Sequence, residues 1–113
     1  MTTAIEERKH TLNEELKRIV GLLIEEYSPE KIILFGSLAT NNIHEWSDID
    51  LAIIKDTDKR FMDRLHEVHL LTRPKVGVNF IVYTNKELQN MVEENRYFLV
   101  KEILEKGEVL YEK

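Results

Sequence analysis

Cysteine is absent from the 113 residues, which excludes disulfides and thiolate metal sites and leaves the redox compartment undetermined, with a reducing cytoplasm as the default expectation. Long apolar runs are missing as well. The longest span only a few residues, far below the roughly 20 needed to cross a bilayer, so no membrane association is expected. The opening MTTAIEERKH mixes acids and bases and lacks the apolar core of a secretory signal. There is no internal repeat, low-complexity tract or linker. Nor is there an excess of positive charge: 21 acids stand against 16 lysines and arginines, net -5, which argues against a direct grip on duplex DNA. That balance leaves small nucleotides open, because magnesium can carry their phosphates in. Charged residues make up 33% of the chain, as solvated helix faces require.

What is present fits one domain over residues 1–113, too short for two ordinary ones. Residues 4 to 27 predict an amphipathic helix, with Leu12, Leu16, Ile19, Val20, Leu23 and Tyr27 on one stripe and Glu14, Glu15, Lys17 and Arg18 between them. Ser28-Pro29 ends it. KIILFGS then reads as a strand covered on both faces, stopped by Gly36 in a tight turn. A loop, LATNNIHEW, leads to a second strand, SDIDLAII. Asp56, Thr57 and Asp58 offer a cap for a helix whose buried stripe is Phe61, Leu65 and Val68 and which ends before Arg73-Pro74. KVGVNFIVYT is the third strand. Thr84 and Glu87 form a capping box for a helical stretch carrying Leu88, Met91, Val92, Leu99 and Ile103, interrupted near Asn95. Gly107 terminates it, and EVLYE adds a last short strand. The order α-β-β-α-β-α-β predicts a small α/β (α+β) domain, a mixed sheet flanked by helices.

Two acids at the head of an apolar strand need an explanation. Alternate residues of a strand share a face, so Asp48 and Asp50 point one way while Ile49, Leu51 and Ile53 point the other. Carboxylates held that close repel unless a cation or a shared proton compensates. Magnesium is the natural partner, since it is typically held by one or two carboxylates together with the phosphates of its substrate. Gly36 and Ser37 supply the complement: a glycine that lets backbone approach a phosphate, with exposed amides and a hydroxyl to donate to it. Taken singly, an acid pair is commonly a solvated strand end and a Gly-Ser pair a simple turn. Their combination at the edges of two apolar runs favours a metal-phosphate site.

Gly36-Ser37, ten intervening residues and Asp48-Ile49-Asp50 resemble the G-S-x10-D-x-D signature of the minimal nucleotidyltransferases, the smallest branch of the DNA polymerase beta-like superfamily. The wording SDIDLAII, the VNFIVYT strand and the closing ILEKGEVLYE are similar to that family's plan too, so the resemblance covers nearly the whole chain. It implies a palm-like fold, binding of ATP or another nucleoside triphosphate, and magnesium-dependent transfer of a nucleoside monophosphate, most plausibly AMP, to a hydroxyl. Gly36 and Ser37 would then bind the β- and γ-phosphates, and Asp48 and Asp50 would be the catalytic metal ligands. The family generally carries a third acid on the next strand, where this chain has Asn79, a neutral residue able to ligate only through its amide oxygen. The implied site holds two magnesium ions, or one if Asn79 does not ligate. The resemblance further implies a HEPN-type toxin as partner, with the chain as its antitoxin; the alternative is a weakened nucleotide-binding module that neutralises the toxin by contact. Self-association is left open.

Other residues are not assigned to the site. His66 and His69 read as helix surface, and His10 and His44 are isolated. Trp46 could stack on a base, though such a residue is more commonly a loop anchor packed on the core. Tyr97, Phe98 and Tyr111 read as core, and Lys55, Lys59 and Arg60 as ordinary surface cations. Glu45 and Asp56 are near enough in sequence to stand in for the third acid, without support from their spacing.

Overall fold

Apolar periodicity sets the layers. In a computed structural model, which describes residues 3–96 and 101–113, four strands form one mixed sheet: β1 (Lys31–Phe35), β2 (Ile49–Ile54), β3 (Val78–Tyr83) and β4 (Glu108–Glu112). Their spatial order is β3-β2-β1-β4. β1 runs antiparallel to both of its neighbours, and β2 runs parallel to β3, as the helical crossover between them requires. The helices are α1 (Ala4–Glu26), α2 (Gly36–Thr40), α3 (Phe61–Thr72) and α4 (Asn85–Glu93), with a wide helical turn at Lys101–Glu105 before β4. No helix among the described residues is long and apolar enough to cross a membrane.

The two faces of the sheet are unequal. Ile32, Leu34, Ile49, Leu51, Ile53, Phe80 and Val82 pack with Leu12, Leu16, Ile19 and Leu23 of α1 and Val68 of α3 in the main core. Each such side chain contributes about 1.5–3 kcal/mol by leaving water. On the opposite face Ile33, Ala52 and Ile103 form a smaller buried cluster, with Phe35, Ile81 and Tyr83 packed around them. By strand alternation Asp50 belongs to this thinner face, beside Phe35 on β1 and Asn79 on β3. Among the described residues this is the more lightly covered side of the sheet.

Several expectations need correction. The segment after β1 is not all loop, because Gly36–Thr40 closes a short helix, α2, that ends on Asn41 in the left-handed conformation. Asp48 precedes β2 instead of lying in it. Asp56, Thr57 and Asp58 do not cap α3; Arg60 occupies that position without a side-chain bond to the helix amides, while Asp56 accepts from the Asn85 amide and Thr57 from the Lys59 amide. The buried positions of α3 are Arg64, Val68 and Thr72, and Phe61 is an exposed residue stacked on Tyr83. Arg64 can be buried because its guanidinium donates to the carbonyls of Lys59 and Val82 and to Glu87. Val92 is exposed, whereas Met91 is buried. Leu99, Tyr97 and Phe98 lie outside the described residues. The Thr84–Glu87 capping box, the break at Asn95 and the strand Glu108–Glu112 are as expected.

Among the described residues Glu15 is the other buried charge, only 6% exposed on α1 although its position reads as polar surface. Arg18 donates to both of its oxygens at 2.6 and 2.9 Å, and the Lys75 amide donates to one of them. Arg18 also reaches the carbonyls of Thr72 and Arg73, so this pair ties α1 to the connection between α3 and β3. Arg18 holds the Glu15 carboxyl at a pKa of about 2, against an ordinary 4.5. A depressed carboxylate stabilises the fold above its unfolded pKa and loses that contribution as pH falls through the folded one. Glu15→Gln should therefore cost about 2–3 kcal/mol at pH 7, with the difference from wild type closing between about pH 4.5 and 2 in denaturant unfolding.

Candidate functional site

At the end of the sheet where β1 stops and β2 begins, three segments converge. β1 delivers Gly36, which adopts φ +75, a conformation other residues take only under strain. A methyl group built on Gly36 would stand 2.1 Å from Oδ2 of Asp50, so the carboxylate rests directly on the glycine backbone. Parallel pairing of β2 with β3 sets Asp50 beside Asn79, whose side-chain nitrogen donates to Asp50 Oδ1 at 2.8 Å. One step earlier, the Ile49 amide donates to the carbonyl of Gly77, and a methyl on Gly77 would meet Asp48 Oδ1 at 2.3 Å. Each aspartate therefore lies against a glycine, and Gly36, Gly77, Asp48, Asp50 and Asn79 form one cluster. Gly77 is the residue that the sequence reading missed. Its signal was the alignment of S-D-I-D with V-G-V-N, legible only with the register known.

The loop before Asp48 is fixed by its own bonds. The buried Ser47 accepts from the His44 amide through its hydroxyl at 2.6 Å and returns its own amide to the His44 carbonyl at 3.2 Å. Trp46 is not a core anchor: it is 78% exposed, held outward by this turn two residues before Asp48. Ser37 stands half-buried in the first turn of α2, where amides have no partner inside the helix. Its carbonyl closes the turn by accepting from the amides of Asn41 and Asn42.

Burial pushes the Asp50 carboxyl above its usual range, and the charge of Asp48 pushes it further, while the hydrogen bond from Asn79 partly offsets both. The fold thus keeps a carboxylate where its charge is disfavoured, and a cation would remove that cost. Two carboxylates are the number with which magnesium is held alongside substrate phosphates. Among the described residues, no cluster of three or more acidic, histidine or cysteine side chains could cage a metal. Asn79 turns its nitrogen, not its oxygen, toward Asp50, so in this arrangement it supports the carboxylate as a donor. The residues present therefore fit one cation arriving with a nucleotide. Asp56 is bonded to the Asn85 amide beyond the opposite end of β2 and does not complete the site. Lys55, Lys59 and Arg60 are engaged with Tyr27, Glu67 and Asp63. A cleft of about 460 Å³ lined by Glu30, Lys31, Asn85 and Glu112 includes neither aspartate of the pair.

Comparison with known proteins shows the family and the fold. Residues 17–113 match the family model described as "Polymerase beta, Nucleotidyltransferase". A protein of Methanocaldococcus jannaschii, named a "putative protein adenylyltransferase", is 38% identical over an alignment that covers 88% of this chain and all of the relative. Among solved structures, a "putative nucleotidyltransferase" from Sulfolobus solfataricus superposes with a TM-score of 0.70 at 18% identity, covering 100% of this chain and 91% of that one. A chain of the mutant toxin-antitoxin MntA-HpeT gives a TM-score of 0.59 at 20% identity, covering 87% of this chain and 72% of that one. These two show the fold, a small α/β domain with a four-stranded mixed sheet and flanking helices. From the family match and the curated relative it follows that the chain belongs to the polymerase beta nucleotidyltransferase family.

Proposed function

We propose that the chain transfers AMP from ATP to a hydroxyl group on a second protein, with magnesium held by Asp48 and Asp50. The observation that carries this reading is Asp50 itself, seated on Gly36 with its charge disfavoured by burial and by Asp48. When bound, the cation neutralises the phosphates and polarises the reacting phosphorus. Gly36 admits the triphosphate close to the backbone, and the Ser37 hydroxyl donates to its β- and γ-phosphates. The acceptor oxygen forms a bond to the α-phosphorus as the bond to the bridging oxygen breaks, and pyrophosphate leaves. The acceptor proton passes to water, because Asn79 has no basic atom to take it. The relative's name favours a protein acceptor. The resemblance to minimal nucleotidyltransferases favours a HEPN-type toxin, with the chain as its antitoxin.

The test is to incubate the chain with a HEPN-type partner, magnesium and ATP labelled on either the α- or the γ-phosphate. Label from the α-phosphate alone should become stably attached to the partner. No attachment with magnesium or manganese would overturn the reading.

Asn79 favours a second reading, a module that keeps the nucleotide site and neutralises its partner by contact. Asn79→Asp separates the two, since it restores a third carboxylate beside Asp50. If the chain is an enzyme limited at this position, transfer should rise about a hundredfold or more, the scale of a positioned acid-base group. If contact suffices, neutralisation stays unchanged and survives loss of both aspartates.

A further inference from the structure

Arg8 lies on α1, nine residues before the segment that matches the family begins, and still reaches the site. Its Nε donates to the Ser47 carbonyl at 3.0 Å, which fixes the guanidinium against the loop leading into Asp48. Its Nη2 stands 3.7 Å from Asp48 Oδ1, an ion-pair separation too long for a hydrogen bond. The side chain is 24% exposed against 46% for Asp48, so the cation is the better covered member of the pair. Such an arrangement neutralises the carboxylate without occupying its oxygens. A bare divalent ion at Asp48 would meet a fixed positive charge beside it. A divalent ion that arrives with a triphosphate would not, because the phosphates attract both cations.

We propose that Arg8 is a positioning residue and built-in counterion of Asp48, which disfavours a bare divalent cation and favours one delivered with nucleotide phosphates. The inference rests on the nucleotide site proposed above and adds to it a selectivity that the G-S and D-x-D motifs do not contain. It predicts effects of opposite sign, which a merely structural residue cannot produce. In Arg8→Gln, manganese alone, followed by electron paramagnetic resonance of the free ion, should bind about fivefold more tightly, as expected for removing a like charge at a partly exposed site. Magnesium-ATP, followed by calorimetry, should bind about tenfold more weakly, through loss of a charge-assisted phosphate contact. Arg8→Lys keeps the charge and should fall between wild type and Arg8→Gln in both titrations. Shifts of the same sign in Arg8→Gln, or no shift, would overturn the role of Arg8 while leaving the nucleotide site intact. Failure of the wild-type chain to bind either species would overturn the nucleotide site and this inference with it.

Discussion

Replacing Asp48 and Asp50 together by asparagine should abolish transfer of α-phosphate label, by at least about a thousandfold, and leave the fold intact or firmer. The loss follows because each carboxylate removed takes several kcal/mol of charge stabilisation from the bound cation and the phosphates around it. The gain follows from Asp50. Its charge is disfavoured by burial and by Asp48, so a neutral amide of the same shape relieves the folded state. Melting of Asp50→Asn should shift upward, as is usual when a functional residue is replaced at a site held against stability. A structural acid pair would behave in the reverse way, losing stability on neutralisation. Calorimetric melting and label transfer measured on the same preparation decide between them.

The glycines give the second large effect, and they should differ from each other. Gly36→Ala forces a side chain into a backbone at φ +75 and into contact with Asp50, 2.1 Å from its Oδ2. It should cost about 1–2 kcal/mol of stability and displace the carboxylate. Gly77→Ala places its methyl 2.3 Å from Asp48 Oδ1, the far end of an exposed side chain that can swing away. Its stability should stay within about 0.5 kcal/mol of wild type. Transfer should fall about a hundredfold in both variants, the usual cost of misplacing a reacting group by an ångström. Equal transfer by Gly77→Ala and wild type would mean that the position of Asp48 is immaterial, which the cation site does not allow.

How far the sequence could be read depended on the range of the interaction. β1 and β2 are legible because strands covered on both faces are continuous apolar runs, and the acids at Asp48 and Asp50 interrupt such a run where burial alone gives no reason for them. Gly36 was legible from its place immediately after a strand. The capping box at Thr84 and Glu87 is local and was read directly, whereas the equivalent box at Thr3 and Glu6 on α1 was passed over beside the stronger apolar stripe. Contacts between distant segments were not legible. Gly77 meets Asp48 only through the parallel register of β2 and β3, and Arg8 reaches Ser47 only once α1 has packed on the sheet. Periodicity also treats every charged residue as surface. It therefore places Glu15 among the polar positions of α1, although Glu15, like Arg64, is buried with charged partners and backbone groups to satisfy it. The same bias made Phe61 a core residue of α3, a place that Arg64 takes.

The cation site is tested most directly by diffraction from crystals grown with manganese and a non-hydrolysable ATP analogue, using the anomalous signal of the metal. The account predicts a manganese peak within bonding distance of carboxylate oxygens from both Asp48 and Asp50, with the β- and γ-phosphates against Gly36 and Ser37. Nucleotide bound elsewhere, or a metal peak that touches neither aspartate, would contradict it.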